Sequence, residues 1–300
     1  MNRFTKLFII NIFFICIATH LYSQGGIVSF YKVGIFKIPI SQVAKNVKNA
    51  LINSDFNILG EYKPGNDTSK YVIAFSRKDL MDIALGAKNR GALAGALRIG
   101  IIDDGNGNVE VSLLNPQYLF YGYLRDNTAK FEIELNQINL DVIAALSELG
   151  VIVPYITSSL SERQLKEYRF MLRNPGFADP IVIRDFNTFE EGVKKISDNL
   201  KARKGRTFKV YQIIDIDKQI AVFGVGLWDE KNGETDFLNQ LGASHLAALP
   251  YEIILSGKQA SILHGKFRFP FYWSDISMNK YTKIYRTPRE IQEVMSGLTN

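Results

Sequence analysis

Apolar residues recur at i, i+4, i+7 and i+11 over Ile40, Ala44, Val47 and Leu51, and again over Phe189, Val193, Ile196 and Leu200. That spacing lays one stripe along one face of a helix, so both stretches are predicted helical. Ser41 is the expected cap of the first, and Thr188 with Glu191 reads as a capping box for the second. Each helix is followed by alternating β-branched and aromatic runs around turn formers. Phe56–Tyr62 and Tyr71–Ser76 flank Lys63–Asp67, and Phe208–Ile214 and Gln219–Val225 flank Asp215–Lys218. Both read as hairpins.

Small-residue helical stretches come next, Leu80–Leu93 and Phe237–Leu249. Second hairpins follow, Leu97–Ile102 with Val109–Leu114 and Tyr251–Leu255 with Gln259–Leu263. Aromatic runs Tyr118–Tyr123 and Phe267–Tyr272 then read as closing strands, because Phe267, Phe269 and Phe271 alternate with Lys266, Arg268 and Pro270. Closing helices are predicted over Leu140–Leu149 and Pro288–Leu298, the latter with Thr287 as cap. With opening strands at Ile27–Ile38 and Ile181–Asp185, the halves match element by element at an offset near 149 residues. The fold class expected is α+β, two tandem repeats, each an antiparallel-rich sheet with helices packed on one face. The repeats are placed at 25–156 and 181–300. A connector at 157–180 carries a short helix, Glu162–Leu172.

Residues 1–24 stand apart. Arg3 and Lys6 precede the apolar run Leu7–Ala18, and Ser23-Gln24-Gly25 ends the segment in small or polar residues. This is the pattern of a secretory signal peptide, and the run is shorter than the ~20 residues a membrane span needs. Ile15 before Cys16 argues against a lipoprotein cleavage site. Periplasmic or secreted localisation is therefore expected, with no transmembrane segment after cleavage. The sole cysteine leaves with the signal, so the mature chain has no disulfide or thiol chemistry. Its formal charge falls from +6 to +4, because two cations leave and no anion does. So small an excess on an exported chain gives no reason to expect nucleic acid.

Leu85-Gly86-Ala87-Lys88-Asn89 resembles the Leu-Gly-Ala-x-Asn segment of the domain of unknown function 302 family, and Leu241-Gly242-Ala243-Ser244-His245 is a weaker echo. Leu249-Pro250-Tyr251-Glu252-Ile253 is similar to the family's Leu-Pro lead into the next strand. The resemblance spans about 27–150 and 181–300. It implies small α+β units that pair as dimers, with no established reaction. A tandem chain would supply both partners as a pseudo-dimer within one monomer. Both copies lack the cysteine that accompanies this segment in many members, so no thiol role carries over.

Candidate chemistry is sparse. His245 and His264 lie in no ligand spacing, so neither metal nor cofactor is expected. Asp103–Glu110 is too short for a calcium loop and reads as a hairpin turn. Gly86–Gly91 lacks the Lys-Ser/Thr of a phosphate loop, and no Gly-x-Ser-x-Gly elbow exists. The run Lys201–Arg206 fits the solvated C-terminal end of a helix. What remains is the aromatic runs. Tyr118, Tyr121, Tyr123, Phe269 and Tyr272, with Arg125, Arg268 and Asp275 nearby, form the candidate ligand-binding set. The competing reading makes these aromatics core and inter-repeat interface. The function expected is an exported non-catalytic protein binding a small apolar or amphipathic ligand, or an envelope protein partner, between the repeats. The alternatives are a periplasmic enzyme with a site shared by both repeats, and an envelope scaffold.

Overall fold

The computed structural model describes residues 26–231 and 233–300, so the proposed signal peptide at 1–24 lies outside the described residues. Repeat 1 runs β1 (Ile27–Phe36), α1 (Ile40–Asn53), β2 (Asn57–Tyr62), β3 (Lys70–Ser76), α2 (Lys78–Gly86), a 3-10 turn at Gly91–Gly95, β4 (Leu97–Asp103), β5 (Val109–Leu114), α3 (Pro116–Tyr123) and α4 (Glu132–Ser147). After β6 (Val153–Leu160) and α5 (Glu162–Lys166), repeat 2 takes up the same order. It has β7 (Ile181–Asp185), α6 (Phe189–Lys201), β8 (Thr207–Asp215), β9 (Ile220–Leu227), α7 (Glu234–Leu241), a 3-10 turn at Leu246–Ala248, β10 (Tyr251–Ser256), β11 (Gln259–Ile262), α8 (Gly265–Tyr272), α9 (Met278–Lys283) and α10 (Thr287–Gly297).

Each repeat builds one antiparallel sheet. The first is ordered β2-β3-β4-β5-β1-β6 and the second β8-β9-β10-β11-β7. Without β6 the two orders are the same. Even the irregularities coincide: β2 bulges between Ile58 and Gly60, and β8 between Lys209 and Tyr211. A bulge is a one-residue event in a ladder, so its repetition at the same step aligns the halves residue by residue.

The α1 stripe buries Val43, Ala44, Val47 and Leu51 on the first sheet, and α6 buries Phe189, Ile196 and Leu200 on the second. Each fully buried Val, Leu, Ile or Phe among them contributes about 1.5–3 kcal/mol. The inner strands β3, β4, β9 and β10 are buried on both faces, which is why they read as near-continuous Val, Ile, Phe, Ala and Gly. Helices cover one face. The other face of each sheet meets the opposite repeat, with β2 against β8 and the Leu246–Ala248 turn against β4. No helix among the described residues is long and apolar enough to cross a membrane.

Several local expectations are corrected. The two aromatic runs are helices, α3 and α8, not strands. Asn115 caps α3 by accepting from the Gln117 amide, Pro116 occupies the first turn, and His264 caps α8 by accepting from the Lys266 amide. Within eight residues, Phe at every second position satisfies both a strand and the i, i+4 face of a fully buried helix, and the caps decide. Residues 153–160 form a strand on β1, crossing the expected start of the connector, and the connector helix stops at Lys166. No side chain caps α1, where Pro39 precedes Ile40. Thr188 accepts from the Glu191 amide as expected, but the Glu191 carboxylate turns to Asn187. Thr287 is the first residue of α10, and Arg286 precedes it.

Candidate functional site

The bulge register places Gly60 of repeat 1 opposite Ala74, and Tyr211 of repeat 2 opposite Gly224. Following the ladders inward, Ala74 pairs with Arg98 and Gly224 with Glu252. Arg98 and Glu252 are therefore equivalent positions of the two repeats, and they meet each other: Arg98 Nη1 lies 2.6 Å from Glu252 Oε1. A second equivalent pair stands beside them. Tyr123 and Tyr272 each lie eight residues after a capping residue, Asn115 and His264, and the Tyr272 hydroxyl donates to that of Tyr123 at 2.7 Å. A local two-fold axis relating the repeats thus passes through a buried polar cluster.

Arg268 joins from α8, donating to the carbonyls of Ala248 and Pro250 at 2.7 and 2.6 Å, with Glu252 Oε2 at 3.4 Å. Its guanidinium sits 3.8 Å from the Tyr251 ring centroid. Burial pulls the Arg98 and Arg268 guanidiniums toward neutrality, but Glu252 and the surrounding tyrosine hydroxyls together more than offset this and keep both charged. At the edge of the seam Glu234, at the first turn of α7, accepts from the Tyr62 hydroxyl at 2.7 Å and the Gly65 amide at 3.0 Å. Burial pushes its carboxyl up to about 7, against those two hydrogen bonds. The hydroxyls of Tyr62, Tyr118, Tyr123 and Tyr211 are all raised, again by burial first.

The eight candidate ligand-binding residues separate into different places. Tyr118, Tyr123, Arg268, Phe269 and Tyr272 are at most 1% exposed, Phe269 in the core of repeat 2 and the other four at the seam. Tyr118 donates to the carbonyl of Phe271 across it, and Phe269 packs on Phe237 and Trp273 within repeat 2. Tyr121 is half-buried on the outer face of α3, and Arg125 donates to the Lys166 carbonyl. Asp275 lies 3.0 Å from the buried His245 Nε2, and that hydrogen bond holds its carboxyl below the usual range. The seam residues Arg98, Glu252, Glu234, Tyr62 and Tyr211 were absent from the expected set. The signal for Arg98 and Glu252 was a lone charge inside each of two apolar strands, Leu97-Arg98-Ile99 and Tyr251-Glu252-Ile253, of opposite sign in matching elements.

Tyr121 opens onto a recess of about 100 Å³ on repeat 1. Phe120 and Leu135 form its apolar floor, and Gln117 and Asn136, bonded to each other at 3.1 Å, one side. Glu132 and Glu162 stand at its rim, and both raise the Tyr121 hydroxyl, after burial itself. Lys166 pairs with Glu162 and places its ammonium 5.6 Å from the Tyr121 ring centroid. The recess exists because Asn127 and Thr128 bond back to Leu124 and Arg125, turning the chain sharply between α3 and α4.

Elsewhere, Asp104 accepts from the Asn106 and Asn108 amides, closing a hairpin turn. Lys204 donates to the Asn300 carbonyl, and Arg206 faces Asp229 at the end of α6. Among the described residues no group of three or more His, Cys, Asp or Glu could hold a metal ion.

No family model matches the chain, and the search of curated proteins found no match. Among solved structures, the chain is similar to the crystal structure of an uncharacterized conserved protein DUF302 from Bacillus stearothermophilus. Identity is 12% and the TM-score 0.33, covering 39% of this chain and 95% of that one.

Proposed function

We propose that the chain is an exported, non-catalytic binding protein whose ligand is a small amphipathic molecule, held in the recess on repeat 1 and not between the repeats. The observation carrying this reading is the recess itself, with a Phe120–Leu135 floor, an aromatic wall at Tyr121 and two rim carboxylates. Ligand sites combine an apolar body with a few convergent polar groups. A volume of about 100 Å³ suits a single ring. The rim favours a cationic end, because its two carboxylates, Glu132 and Glu162, outnumber the Lys166 ammonium that pairs with Glu162. The enzyme reading draws on the near-neutral Glu234, but the polar cluster around it is sealed by packed side chains, leaving a substrate no approach.

Titration of the purified protein with 2-phenylethylammonium and with phenylacetate, followed by NMR, tests it. The ammonium is expected to saturate with a dissociation constant of ~1 mM or tighter, as a ligand of some nine heavy atoms can reach, and the carboxylate to bind at least tenfold more weakly. Ala129→Trp, at the exposed rim, is expected to abolish binding without altering stability. Equal binding of both probes, or binding that survives the plug, would refute the recess as the site.

A further inference from the structure

We infer that the seam is heterotypic by construction: the surface that each repeat presents fits the opposite repeat and rejects a second copy of itself. Three glycines of repeat 1 carry the case. A Cβ at Gly60 would lie 1.8 Å from the Val210 carbonyl oxygen, one at Gly100 2.8 Å from the Ala247 amide nitrogen, and one at Gly122 2.3 Å from the Phe271 ring. All three contacts are with repeat 2, and two of them are backbone that cannot rotate away.

The ladders identify what repeat 2 carries at the same positions. Gly60 corresponds to Tyr211 through the shared bulge, and Gly100 to Ile254, two steps beyond Arg98 and Glu252. Gly122 corresponds to Phe271, each the seventh residue after its helix cap. Repeat 1 thus has an absence where repeat 2 has a large side chain, three times over. Two copies of repeat 2 facing each other would drive Tyr211, Ile254 and Phe271 into space the partner fills. Two copies of repeat 1 would leave a void where Gly122 faces Gly122 in place of the Phe271 ring, and would set Arg98 against Arg98 with no Glu252 between them.

Charge and shape therefore select the same pairing, and specificity arises from what the wrong partners lack or collide with. The connector supplies the correct partner at high effective concentration, so the chain closes on itself. The partner this surface fits is the other half of the same polypeptide.

Positions 122 and 271 allow both wrong pairings to be recreated inside the full chain. Gly122→Phe places Phe opposite Phe, as in a repeat 2 pair, and Phe271→Gly places Gly opposite Gly, as in a repeat 1 pair. Overpacking is expected to lower Tm by ~4–10 °C and the cavity by ~8–15 °C. The double variant exchanges void and ring across the axis and is expected to recover to within ~5 °C of the parent protein, far above the sum of the single losses. The milder pair Gly122→Ala and Phe271→Leu must show the same sign of coupling, and it keeps the measurement readable should the ring swap fail to fold. Additive losses in both pairs would overturn the inference.

Discussion

Glu234 offers the sharpest quantitative handle on the seam. Its carboxyl is fully buried where α7 meets β2, and burial raises it from 4.5 to about 7 although Tyr62 and Gly65 both donate to it. In the unfolded chain the same group ionises near 4.5. Below that pH both states hold the proton and the group costs nothing. Between 4.5 and 7 the unfolded chain releases its proton while the folded chain keeps it, so stability falls as pH rises through this window and levels off above it. Each pKa unit is worth about 1.4 kcal/mol, so the shift from 4.5 to about 7 amounts to roughly 3 kcal/mol. In a chain of this size that is a change of about 6–12 °C in Tm. Glu234→Gln cannot ionise, yet it keeps an oxygen for the Gly65 amide and an amide group that can reach the Tyr62 hydroxyl. Thermal unfolding of both proteins from pH 4.5 to 8 isolates the group, because every other titrating residue is shared. The variant is expected to match or fall slightly below the parent at pH 4.5 and to exceed it by the stated margin at pH 8. A difference that stays constant across the range would refute the assignment of a buried, proton-holding carboxyl.

Other outcomes follow from the same geometry. Gly60→Ala forces a methyl onto the Val210 carbonyl, a backbone atom, so the β2–β8 contact must part; a loss of at least ~3 kcal/mol is expected in urea unfolding, whereas Gly86→Ala, in open space, should cost nothing. The proposed export predicts that N-terminal sequencing of protein recovered outside the cytoplasm begins near Gly25, and an intact Met1 in that fraction would contradict it.

The legible parts of the chain share a property. The α1 and α6 stripes, the four hairpins and the capping hydroxyl of Thr188 all depend on residues within a few positions of one another, and each appears close to where periodicity placed it. The aromatic runs read as strands because α3 and α8 are buried on nearly every side, with only Gln117 and Tyr121 of α3 and Lys266 of α8 left partly or fully open. A helix with so little polar face shows almost no 3.6-residue contrast, and alternating Phe then mimics a pleat. The connector was misjudged for another reason. Residues 153–160 become a strand because β1 offers an open edge, and an edge belongs to the assembled sheet.

Taken alone, the sequence determined that the chain is a doubled α+β unit and where most of its helices and hairpins lie, since doubling leaves matching local patterns in both halves. Only the tertiary structure decided that Arg98 would find Glu252 and that Gly60, Gly100 and Gly122 would admit the opposite repeat. It also buried five of the expected ligand-binding residues, four of them at the seam, while leaving Tyr121 at a recess. The physical reason is distance along the chain. Hydrogen-bond register and turn chemistry act over a few residues, whereas the close approach of two sheets is set by how whole layers fit, and no local pattern encodes which backbone will arrive at a given glycine.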